Sequence, residues 1–385
     1  MRILVLSAQY PSTRNLYANM FVHVRVLRYL ALGHTVQVKR FFAELPAYEF
    51  EGVRVETAPD IHALRSMIDA FAPDVVVIHF FQGWMLRKII EQLKIPVVIW
   101  IHAIEAMWWI RRLFNFELSR DFADYVKFNT IQMLRLRKLF KYSQRNPESI
   151  HFVFVSDWIR RVAERDTFSH PAHYDVIPNP IDTNRFPYAE KDVALRTRVL
   201  LIRPFNARKY ANDIAIAAIR RMSAFAEFRE FHFSIHGHGP MFQKLTRPIS
   251  HLKNVTIREG FLTHAEIRDL HAVNGLFLCP TRQDSQGVSM CEAMSSGLVP
   301  ITSKSSAIPE FVTHGTAGFL TNGSEGIADA FRRLYRDPQL FERMSRTAAD
   351  DIRAKCGIDH VVARELGAIQ KTIDRFRSAQ VVPRQ

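Results

Sequence analysis

Short apolar runs alternate with amphipathic segments along most of this chain. In the first half, the predicted strands are residues 2–7, 35–40, 74–79, 96–102 and 151–155. Helical spacing runs from Met20 to Leu32 and stops before Gly33, and Ser156 is placed to cap a helix after the fifth strand. Fully apolar strands that alternate with helices predict a parallel sheet with helices on both faces.

A second series of the same kind begins at Arg198. Its predicted strands are residues 198–202, 231–235, 255–257, 276–279 and 299–302, and helical patterns follow over about 326–353 and 358–377. The polar stretch 187–197 is typical of a linker. The pattern therefore predicts an α/β chain with two Rossmann-like, doubly wound domains that face each other across a cleft. Ligands of such sheets bind at the carboxyl ends of the strands.

We place the domain boundaries from the same pattern. Residues 1–186 form the expected N-terminal domain, and residues 187–365 form the expected C-terminal domain. A helix over about 366–385 is expected to pack back on the first domain.

Composition and charge narrow the possible classes of protein. The chain has 385 residues, 48% of them apolar, and no uninterrupted apolar run of the roughly 18 residues that a membrane-spanning helix needs. Its three cysteines have no metal-site spacing, so we expect a reducing, cytoplasmic compartment. The net charge is +14, and the largest local excess lies between residues 111 and 145, which contain nine Lys or Arg and three acidic residues, one of them Glu117. Such an excess attracts anionic partners.

Two carboxylates, Asp284 and Glu292, are the most informative candidates for chemistry. Asp284 follows a predicted strand, a glycine-containing loop comes next, and Glu292 is read as opening a helix that closes near Gly297. Loop and helix amides suit a phosphate, and carboxylates suit the hydroxyls of a sugar or ribose. The segment predicts a nucleotide-sugar site, although an acid in the first turn could also only stabilise its helix.

Two cations stand after the first strand of the second half. Arg203 and Lys209 could hold a diphosphate and stabilise the charge that grows on a departing nucleoside diphosphate. The alternative is an ordinary solvated loop. Gly237, in His236-Gly-His-Gly-Pro240, could let a ligand approach the backbone or could simply form a turn.

At this point the chain resembles the two-domain glycosyltransferases of family GT4, which have the GT-B fold and retain the configuration of the transferred sugar. The motif Glu292-Ala-Met-Ser-Ser-Gly297, the Arg203/Lys209 pair, the Gly237 turn and Val176 to Phe186 carry the resemblance. It implies a nucleoside-diphosphate sugar as donor and a glycan or lipid-linked acceptor, in bacterial cell-surface polysaccharide or glycolipid synthesis. No Asp-x-Asp motif occurs, so we expect no metal and no other cofactor.

The resemblance also implies roles for individual residues. Glu292 would bind the ribose hydroxyls and Asp284 the donor sugar, while Arg203 and Lys209 stabilise the departing diphosphate. The amides of Gly287, Val288 and Ser289 would meet the phosphates. Gly237, Phe261 and Leu262 would border the nucleotide, whose base is read through backbone groups.

This chain departs from the family pattern in three places. Asp284 stands where the family has Glu, and Pro180 stands where it has Gly. The loop over residues 7–19 lacks a glycine that many relatives carry. The first change affects the sugar contact, and the last affects how the acceptor is handled.

His102 ends a predicted strand and faces the expected cleft. The resemblance implies that it contacts the reacting sugar, whereas a histidine hydrogen-bonded at a strand end is the alternative. His79, at the corresponding point of the preceding strand, is a weaker candidate.

The basic segment 108–145 mixes aromatic and cationic residues. That composition favours contact with an anionic membrane, with the protein peripheral on its inner face; a core helix with a solvated basic face is the alternative. A sugar-nucleotide epimerase of the same fold and a basic nucleic-acid-binding protein remain as other functions. We expect no nucleic acid, because the charge is local and no recognition motif is present.

Overall fold

The computed structural model describes residues 1–41, 46–116 and 119–381. Its strands are β1 Arg2–Ser7, β2 Thr35–Phe41, β3 Tyr48–Phe50, β4 Val53–Ala58, β5 Val75–His79, β6 Val97–Ile101, β7 Ile150–Phe154, β8 Tyr174–Val176, β9 Arg198–Ile202, β10 His232–Gly237, β11 Val255–Glu259, β12 Leu276–Cys279, β13 Val299–Ser303 and β14 Phe319–Thr321. Its α-helices are α1 Met20–Ala31, α2 Ile61–Phe71, α3 Met85–Lys88, α4 Arg120–Arg145, α5 Asp157–Thr167, α6 Asn212–Met222, α7 Phe242–Thr246, α8 His264–Ala272, α9 Val288–Ser295, α10 Gly323–Arg336, α11 Pro338–Cys356 and α12 Ile358–Val381.

The chain forms two compact units. Unit 1 comprises Met1–Pro180 together with the chain from Ile358 onward, and unit 2 comprises Ile181–Gly357. The boundaries between the two units follow Pro180 and Gly357, a few residues before those that we placed from the sequence, after residues 186 and 365. At these points the Ile181 N–H donates to the Cys356 carbonyl at 2.7 Å. All of α12 belongs with unit 1, from Ile358 rather than from about residue 366.

Unit 1 contains a sheet with the order β3-β4-β2-β1-β5-β6-β7-β8, parallel except for the β3–β4 hairpin. Successive side chains of a strand point to opposite faces, so Leu4 and Leu6 pack with α2, α4 and α5, whereas Ile3 and Val5 pack with α1 and α12. Both faces are covered, which explains why its central strands are apolar throughout.

Unit 2 contains an all-parallel sheet with the order β11-β10-β9-β12-β13-β14. Helices α6, α10 and α11 contribute Ile219, Phe331 and Phe341 to its core. The predicted α/β class with two mainly parallel sheets is confirmed.

Two details differ from the sequence-based elements. The helical pattern over 326–353 is two helices, because Pro338 starts a new one and the Asp337 side chain caps it by accepting from the Leu340 N–H at 2.9 Å. The strands β3, β4, β8 and β14 were not predicted, and three of them, β3, β8 and β14, are only three residues long. No helix in the described part of the chain is long and apolar enough to cross a membrane.

Candidate functional site

The loop after β12 turns around Asp284. Its Oδ1 atom accepts hydrogen bonds from the backbone N–H groups of Gln286, at 3.2 Å, and Gly287, at 2.8 Å. Gly287 has a φ of 79°, a left-handed conformation that glycine adopts without steric cost, and α9 starts at the next residue. Asp284 therefore shapes the N-terminus of α9, a role that the sequence pattern did not indicate.

The same loop is fastened to the segment that follows β13. The Thr281 N–H donates to Ser303 Oγ at 3.0 Å, and Ser305 Oγ donates to the Thr281 carbonyl at 2.9 Å. The Ala307 N–H donates to the Asp284 carbonyl at 3.2 Å. These hydrogen bonds hold the loop after β12 against the segment after β13, so the conformation of the turn does not depend on Asp284 alone.

Val288 and Ser289 occupy the first turn of α9. Backbone N–H groups in a first helical turn have no acceptor inside the helix, and the helix dipole favours an anion beside them. The Gly287 N–H, by contrast, is already bonded to Asp284. Of the three amides predicted to meet phosphates, those of Val288 and Ser289 thus have the geometry of an anion site.

Arg203 follows β9, and only 3% of its side chain is exposed. Its Nη2 donates to the Cys279 carbonyl at 2.9 Å, and its Nη1 lies 3.8 Å from Asp284 Oδ2. Its Nε is buried without an acceptor among the described residues. Burying a charge is costly unless it is paired, so the carboxylate of Asp284 helps to hold this cation at the end of the sheet.

Lys209 lies in the short 3-10 helix Arg208–Tyr210. Its Nζ is 4.8 Å from the centroid of the Tyr210 ring, and Arg203 Cζ is 5.7 Å from the same ring. The Lys209 carbonyl accepts from the Arg282 N–H at 2.8 Å and from the Thr281 hydroxyl at 3.0 Å. The two cations therefore share an aromatic neighbour, and the loop that carries Asp284 is bonded to the backbone of Lys209.

Glu292 is the fifth residue of α9, not a residue of its first turn. The expectation that it opens the helix was wrong, because Gly287 and the Asp284 turn start the helix four residues earlier than the acid suggests. The helix dipole stabilises an acidic side chain in the first turn, and Glu292 lies beyond that turn. Stabilisation of the helix end therefore does not explain its presence.

The surroundings of Glu292 disfavour its charge. Burial raises the pKa of Glu292 to about 8; Arg185 acts to lower it and Asp182 to raise it. Arg185 is itself close to Asp182, with Nε 3.7 Å from Oδ2, so its charge is partly neutralised. Burial therefore favours the neutral form of the Glu292 carboxyl group, whereas hydrogen-bond donors that approach it would favour the ionised form.

Gly237 ends β10 where another backbone segment passes close by. A Cβ at this position would lie 2.2 Å from the Arg203 carbonyl oxygen and 2.7 Å from the Phe205 ring, so only glycine fits. The Gly237 carbonyl accepts from the Gly260 N–H at 2.9 Å, which ties the loop after β11 to β10. Close packing onto the backbone beside Arg203 thus accounts for this glycine.

Phe261 and Leu262 follow in that loop. The Phe261 side chain is 63% exposed, and its ring centroid is 4.9 Å from that of His238. Leu262 is half-buried. Their proposed position beside a nucleotide stays a prediction.

In unit 1, His102 and His79 lie at the carboxyl edge of the sheet. His79 ends β5, His102 directly follows β6, and both side chains are buried. His79 Nδ1 is 3.1 Å from His102 Nε2. Burial lowers the pKa of both imidazoles well below the usual value, and the charge of Arg25 lowers both further, so both rings are neutral at pH 7.

Two aromatic rings enclose His102. Phe80 stacks on it with the ring centroids 4.4 Å apart, and the Phe21 centroid lies at 4.9 Å. Phe80 has a φ of 61°, a strained conformation for a bulky residue. The backbone N–H of His102 donates to Glu105 Oε1 at 2.6 Å. The ring and its backbone are therefore fixed from several directions.

Arg25 of α1 and Glu365 of α12 lie next to the His79/His102 pair, and both side chains are fully buried. Arg25 Nη1 is 3.2 Å from His79 Nδ1, and Nη2 is 3.0 Å from Asn179 Oδ1 and 3.1 Å from Glu365 Oε1. The Tyr29 hydroxyl donates to Glu365 Oε2. Burial raises the pKa of Glu365, which the charge of Arg25 opposes.

Sequence reasoning did not find Arg25 or Glu365. The available signal was the position of Arg25 between Val24 and Val26, a charge inside an apolar run of a helix. Lys and Arg are rarely fully buried unless they are paired, so such a position predicts a buried partner. It does not identify Glu365, which is 340 residues away.

Helix α4 has two distinct faces. Four apolar residues of α4, within the basic segment 108–145, point into the core: Met133, Leu136, Leu139 and Phe140. The opposite face exposes Phe128, Ile131 and Leu134, at 67%, 38% and 52%. The exposed basic residues of the helix are Arg120, Lys127, Arg135, Lys138, Lys141 and Arg145. Glu117 and Leu118 lie outside the described residues.

The segment before α4 adds to the exposed apolar surface. Ile110, Leu113 and Phe116 are each more than half exposed, whereas Trp108 and Trp109 are half-buried. Arg111 forms an ion pair with Asp166, with Nη2 2.6 Å from Oδ1, so this cation stabilises the fold. The segment thus divides into residues that pack and residues that face solvent.

The two halves of the chain match two family models. The model described as Glycosyl transferases group 1 matches residues 196–337, and the model described as Glycosyltransferase Family 4 matches residues 22–185. Among curated proteins, the N-acetyl-alpha-D-glucosaminyl L-malate synthase of Bacillus anthracis is 27% identical over 131 residues, which are 33% of this chain and 34% of that protein. The curated relatives that the chain matches are aligned over only 32% to 43% of their own lengths.

Solved structures with a similar fold cover nearly the whole chain. Sucrose-phosphate synthase of Thermosynechococcus elongatus has a TM-score of 0.75 at 13% identity, over 96% of this chain and 98% of that one. The HepE protein of Anabaena, solved in complex with UDP and glucose, has a TM-score of 0.71 at 15% identity, over 96% and 100% of the two chains. At these identities the likeness concerns the fold alone.

Proposed function

The chain belongs to glycosyltransferase family 4, the glycosyl transferases of group 1 with the GT-B fold, and on this basis we propose that it transfers a sugar from a nucleoside-diphosphate sugar. Unit 2 binds the donor, and unit 1 binds a glycan or lipid-linked acceptor. The product belongs to a bacterial cell-surface polysaccharide or glycolipid.

The observation that carries this proposal is the arrangement around the Asp284 turn. Within unit 2, Arg203 and Lys209 flank Tyr210, and the first-turn amides of α9 follow directly after Gly287. Cations and helix-end amides at the carboxyl edge of a parallel sheet suit a diphosphate. Glu292 adds a carboxyl group on the same helix, suited to ribose hydroxyls.

In this reaction the cations take the place of a metal ion. Arg203 is held by the Cys279 carbonyl and Asp284, so its charge is oriented before the diphosphate departs. The transferred sugar retains its configuration, and the departing phosphate assists attack from the same face. Transfer that is unaffected by EDTA, with an unchanged anomeric configuration by NMR, would support both points; loss of activity with the chelator would contradict the first.

The first test is a thermal-shift screen against UDP-, GDP- and ADP-sugars. A ligand that binds only the native state raises the melting temperature. Glu292→Ala should abolish the shift and the turnover, whereas Glu342→Ala, an exposed acid on α11 of the same unit, should leave both unchanged. Near-full turnover in Glu292→Ala would contradict the assignment of this residue.

We further propose that the exposed face of α4 contacts an anionic membrane surface, which makes the protein peripheral on the inner face of the membrane. Phe128, Ile131 and Leu134 recur every third residue on this face, so they project from one side of the helix. Lys127, Arg135, Lys138 and Lys141 flank them. Apolar residues among cations fit the boundary between anionic headgroups and acyl chains. A lipid-linked acceptor would be presented there.

Co-sedimentation with vesicles tests the membrane contact. Arg135→Glu/Lys138→Glu/Lys141→Glu should lose binding to phosphatidylcholine–phosphatidylglycerol vesicles. A matched triple change in unit 2, Arg220→Glu/Arg221→Glu/Lys244→Glu, also reverses three exposed cations and should retain it. Equal binding by the two variants would count against the contact. Nanomolar DNA binding with a steep salt dependence, lost in the α4 variant, would favour the nucleic-acid alternative instead.

A further inference from the structure

Strand β10 has two chemically different faces. Successive side chains of a strand point to opposite sides, so Phe233 and Ile235 enter the core of unit 2, whereas His232 and Ser234 lie on the other face of the sheet. The strand lies between β9 and β11, and inner strands of a parallel sheet are usually apolar on both faces because helices cover both. Packing alone therefore does not explain the polar face of this inner strand.

A cleft of about 490 Å³ lies over this face. It is lined by His232 and Ser234, by Arg198 at the start of β9, and by apolar side chains that include Leu195, Leu270 and Val273. Small-molecule sites usually have volumes of about 300–1,000 Å³, so the cleft is large enough for a small organic ligand. Arg203 follows β9 and Gly237 ends β10, at the opposite ends of the two strands, so the cleft is separate from the candidate donor site.

Backbone packing holds the walls of the cleft in place. A Cβ on Gly275 would lie 2.4 Å from the Leu195 carbonyl oxygen, so the short 3-10 helix Val193–Thr197 packs directly on the chain before β12. Asn274 is buried, and its Nδ2 donates to the Leu270 carbonyl at 2.8 Å at the end of α8. The cleft is thus preformed, and binding does not have to pay for ordering its walls.

The charged group of the cleft is a cation. The Arg198 side chain is exposed and forms no hydrogen bond or ion pair within the part of the chain that the structure describes. Burial lowers the pKa of His232, and the charge of Arg198 lowers it further, which shows that the guanidinium and the imidazole lie close together. No Asp or Glu is among the described residues that line the cleft. An anion would therefore be attracted to this point of the surface.

Three polar side chains of the cleft can donate hydrogen bonds to such an anion, and the Arg198 guanidinium alone has five N–H groups. His232 Nε2 lies 3.3 Å from Thr256 Oγ1, and when it accepts from this hydroxyl the ring proton is on Nδ1, which can donate. Ser234 Oγ lies 2.8 Å from His236 Nε2, and its hydroxyl can donate to a ligand when that nitrogen carries the ring proton. A phosphate monoester presents three acceptor oxygens to these groups, whereas a carboxylate presents two.

We propose that this cleft binds a small phosphate monoester with an apolar body. The phosphate lies beside Arg198, His232 and Ser234, and the apolar part contacts Leu195 and Leu270. Hydrogen bonds between a guanidinium and a phosphate are charge-assisted and therefore stronger than those between neutral groups, and removal of the apolar part from water adds to the affinity. The inference goes beyond the proposed function, because the cleft belongs to unit 2 alone and lies at the ends of β9 and β10 opposite the candidate donor site.

Side-chain NMR of the full chain labelled with 15N-histidine tests the site, with phenyl phosphate as the probe. The His232→Gln variant assigns the His232 signals. We expect these signals to shift to saturation as phenyl phosphate is added, and to stay in place with benzyl alcohol, which has the ring but no charge. Unmoved His232 signals at millimolar phenyl phosphate would overturn the proposal.

Two further probes test the assigned ligand chemistry. Inorganic phosphate lacks the apolar body, and benzoate has the same ring but only a carboxylate. Each should bind about tenfold more weakly than phenyl phosphate, because each loses one of the two contributions to affinity. If either probe bound as tightly as phenyl phosphate, the assigned class of ligand would be wrong.

Arg198→Gln removes the guanidinium from the cleft. We expect the dissociation constant of phenyl phosphate, followed at the His232 signals, to rise about tenfold or more, because a charge-assisted hydrogen bond is lost. The control is Arg343→Gln, which removes the same charge from an exposed residue of α11 outside the cleft and should leave the affinity unchanged. Equal weakening in the two variants would refute the role of Arg198 and show only a general attraction of anions to a basic protein.

Lys209→Gln separates the cleft from the candidate donor site. Phenyl phosphate can also bind beside Arg203 and Lys209, but that binding should not move the signals of His232, which is at the other end of β10. The His232 titration should therefore be the same in Lys209→Gln as in the unsubstituted protein. Loss of the His232 shift in this variant would place the phosphate at the donor site and overturn the proposal. Failure of UDP to bind the unsubstituted protein, by contrast, would contradict only the proposed function.

Discussion

Asp284 Oδ2 lies 3.8 Å from Nη1 of Arg203, and this contact joins the loop after β12 to the end of β9. The other carboxylate oxygen, Oδ1, accepts from two backbone N–H groups of its own turn. One side chain therefore both shapes the start of a helix and neutralises a buried cation. The two roles can be separated by substitution.

Asp284→Asn should keep the turn, because the amide oxygen can still accept from Gln286 and Gly287, but it removes the charge beside Arg203. Asp284→Ala removes both and should lower the free energy of unfolding by about 1–3 kcal/mol, the cost of a lost cap and an unpaired buried group. We also expect Asp284→Asn to bind UDP more tightly, because one negative charge near the diphosphate is gone. Chemical denaturation and calorimetry measure these effects. Equal destabilisation by the two variants would mean that the charge, not the turn, is what matters.

Binding of UDP should release protons near pH 7. The pKa of Glu292 is raised to about 8 in the protein without ligand, so its carboxyl group is mostly protonated at that pH. Ribose hydroxyls donate to the ionised form and favour it, which displaces the proton. Isothermal titration calorimetry in buffers with different ionisation enthalpies measures the release. Glu292→Gln should show none; the same release in that variant would place its source elsewhere.

Glu292 should also make stability depend on pH in a specific window. The native state keeps a proton on Glu292 up to about pH 8, whereas the unfolded chain loses it near 4.5. Stability therefore falls as pH rises between these values, because the native state binds more protons there. The free energy of unfolding of the unsubstituted protein, minus that of Glu292→Gln, should therefore be largest at low pH and should decrease toward pH 8. A difference that does not vary with pH would contradict the shifted pKa.

Gly237→Ala should strongly destabilise unit 2. The new Cβ would meet the Arg203 carbonyl at 2.2 Å, and forced overpacking costs about 1–3 kcal/mol. Gly367→Ala is the matched control, because this glycine is within α12 and nothing lies within 4 Å of the added Cβ. That change should stabilise the protein by about 0.5–1 kcal/mol. Denaturant titrations give both values; tolerance of Gly237→Ala would show that the Arg203 backbone can move.

Phe80→Gly should be more stable than Phe80→Ala. Both variants lose the stacking on His102, but only alanine keeps the cost of the left-handed conformation, about 1–2 kcal/mol for a residue with a Cβ. The difference in their free energies of unfolding isolates the backbone strain from the lost ring contact. Equal stabilities would mean that the backbone relaxes once the phenylalanine ring is removed.

Much of the fold was readable from the sequence because buried parallel strands are apolar throughout. The strand at Arg198–Ile202 was predicted with its observed bounds, and the helix cap at Ser156 is present, with its Oγ accepting from the Ile159 N–H. The helix break at Asp337–Pro338 was missed because periodicity alone continued through it. Short strands such as β8 carry too few residues to show a pattern.

The site was less readable, because its physics depends on contacts between distant residues. The sequence indicated that Arg203 and Asp284 belong to one site, but not that they touch or that Arg203 is almost fully buried. Nor could it indicate that Asp182 and Arg185 adjust the ionisation of Glu292. On α4, apolar residues at helical spacing gave no means of telling Phe128, which is exposed, from Phe140, which is not.

The assignment of α12 to unit 1 has a consequence for biosynthesis. The ribosome must add all of unit 2, residues 181–357, before it adds Glu365, the counter-ion of Arg25. Domains generally fold as units during synthesis, N-terminal ones first, at about 5–20 residues per second. In this chain the earlier unit cannot complete its charge pairing until the later one has been translated. A nascent chain stalled between residues 180 and 358 should therefore present an incomplete unit 1 to chaperones and proteases, and unit 2 should be the first to acquire its native packing.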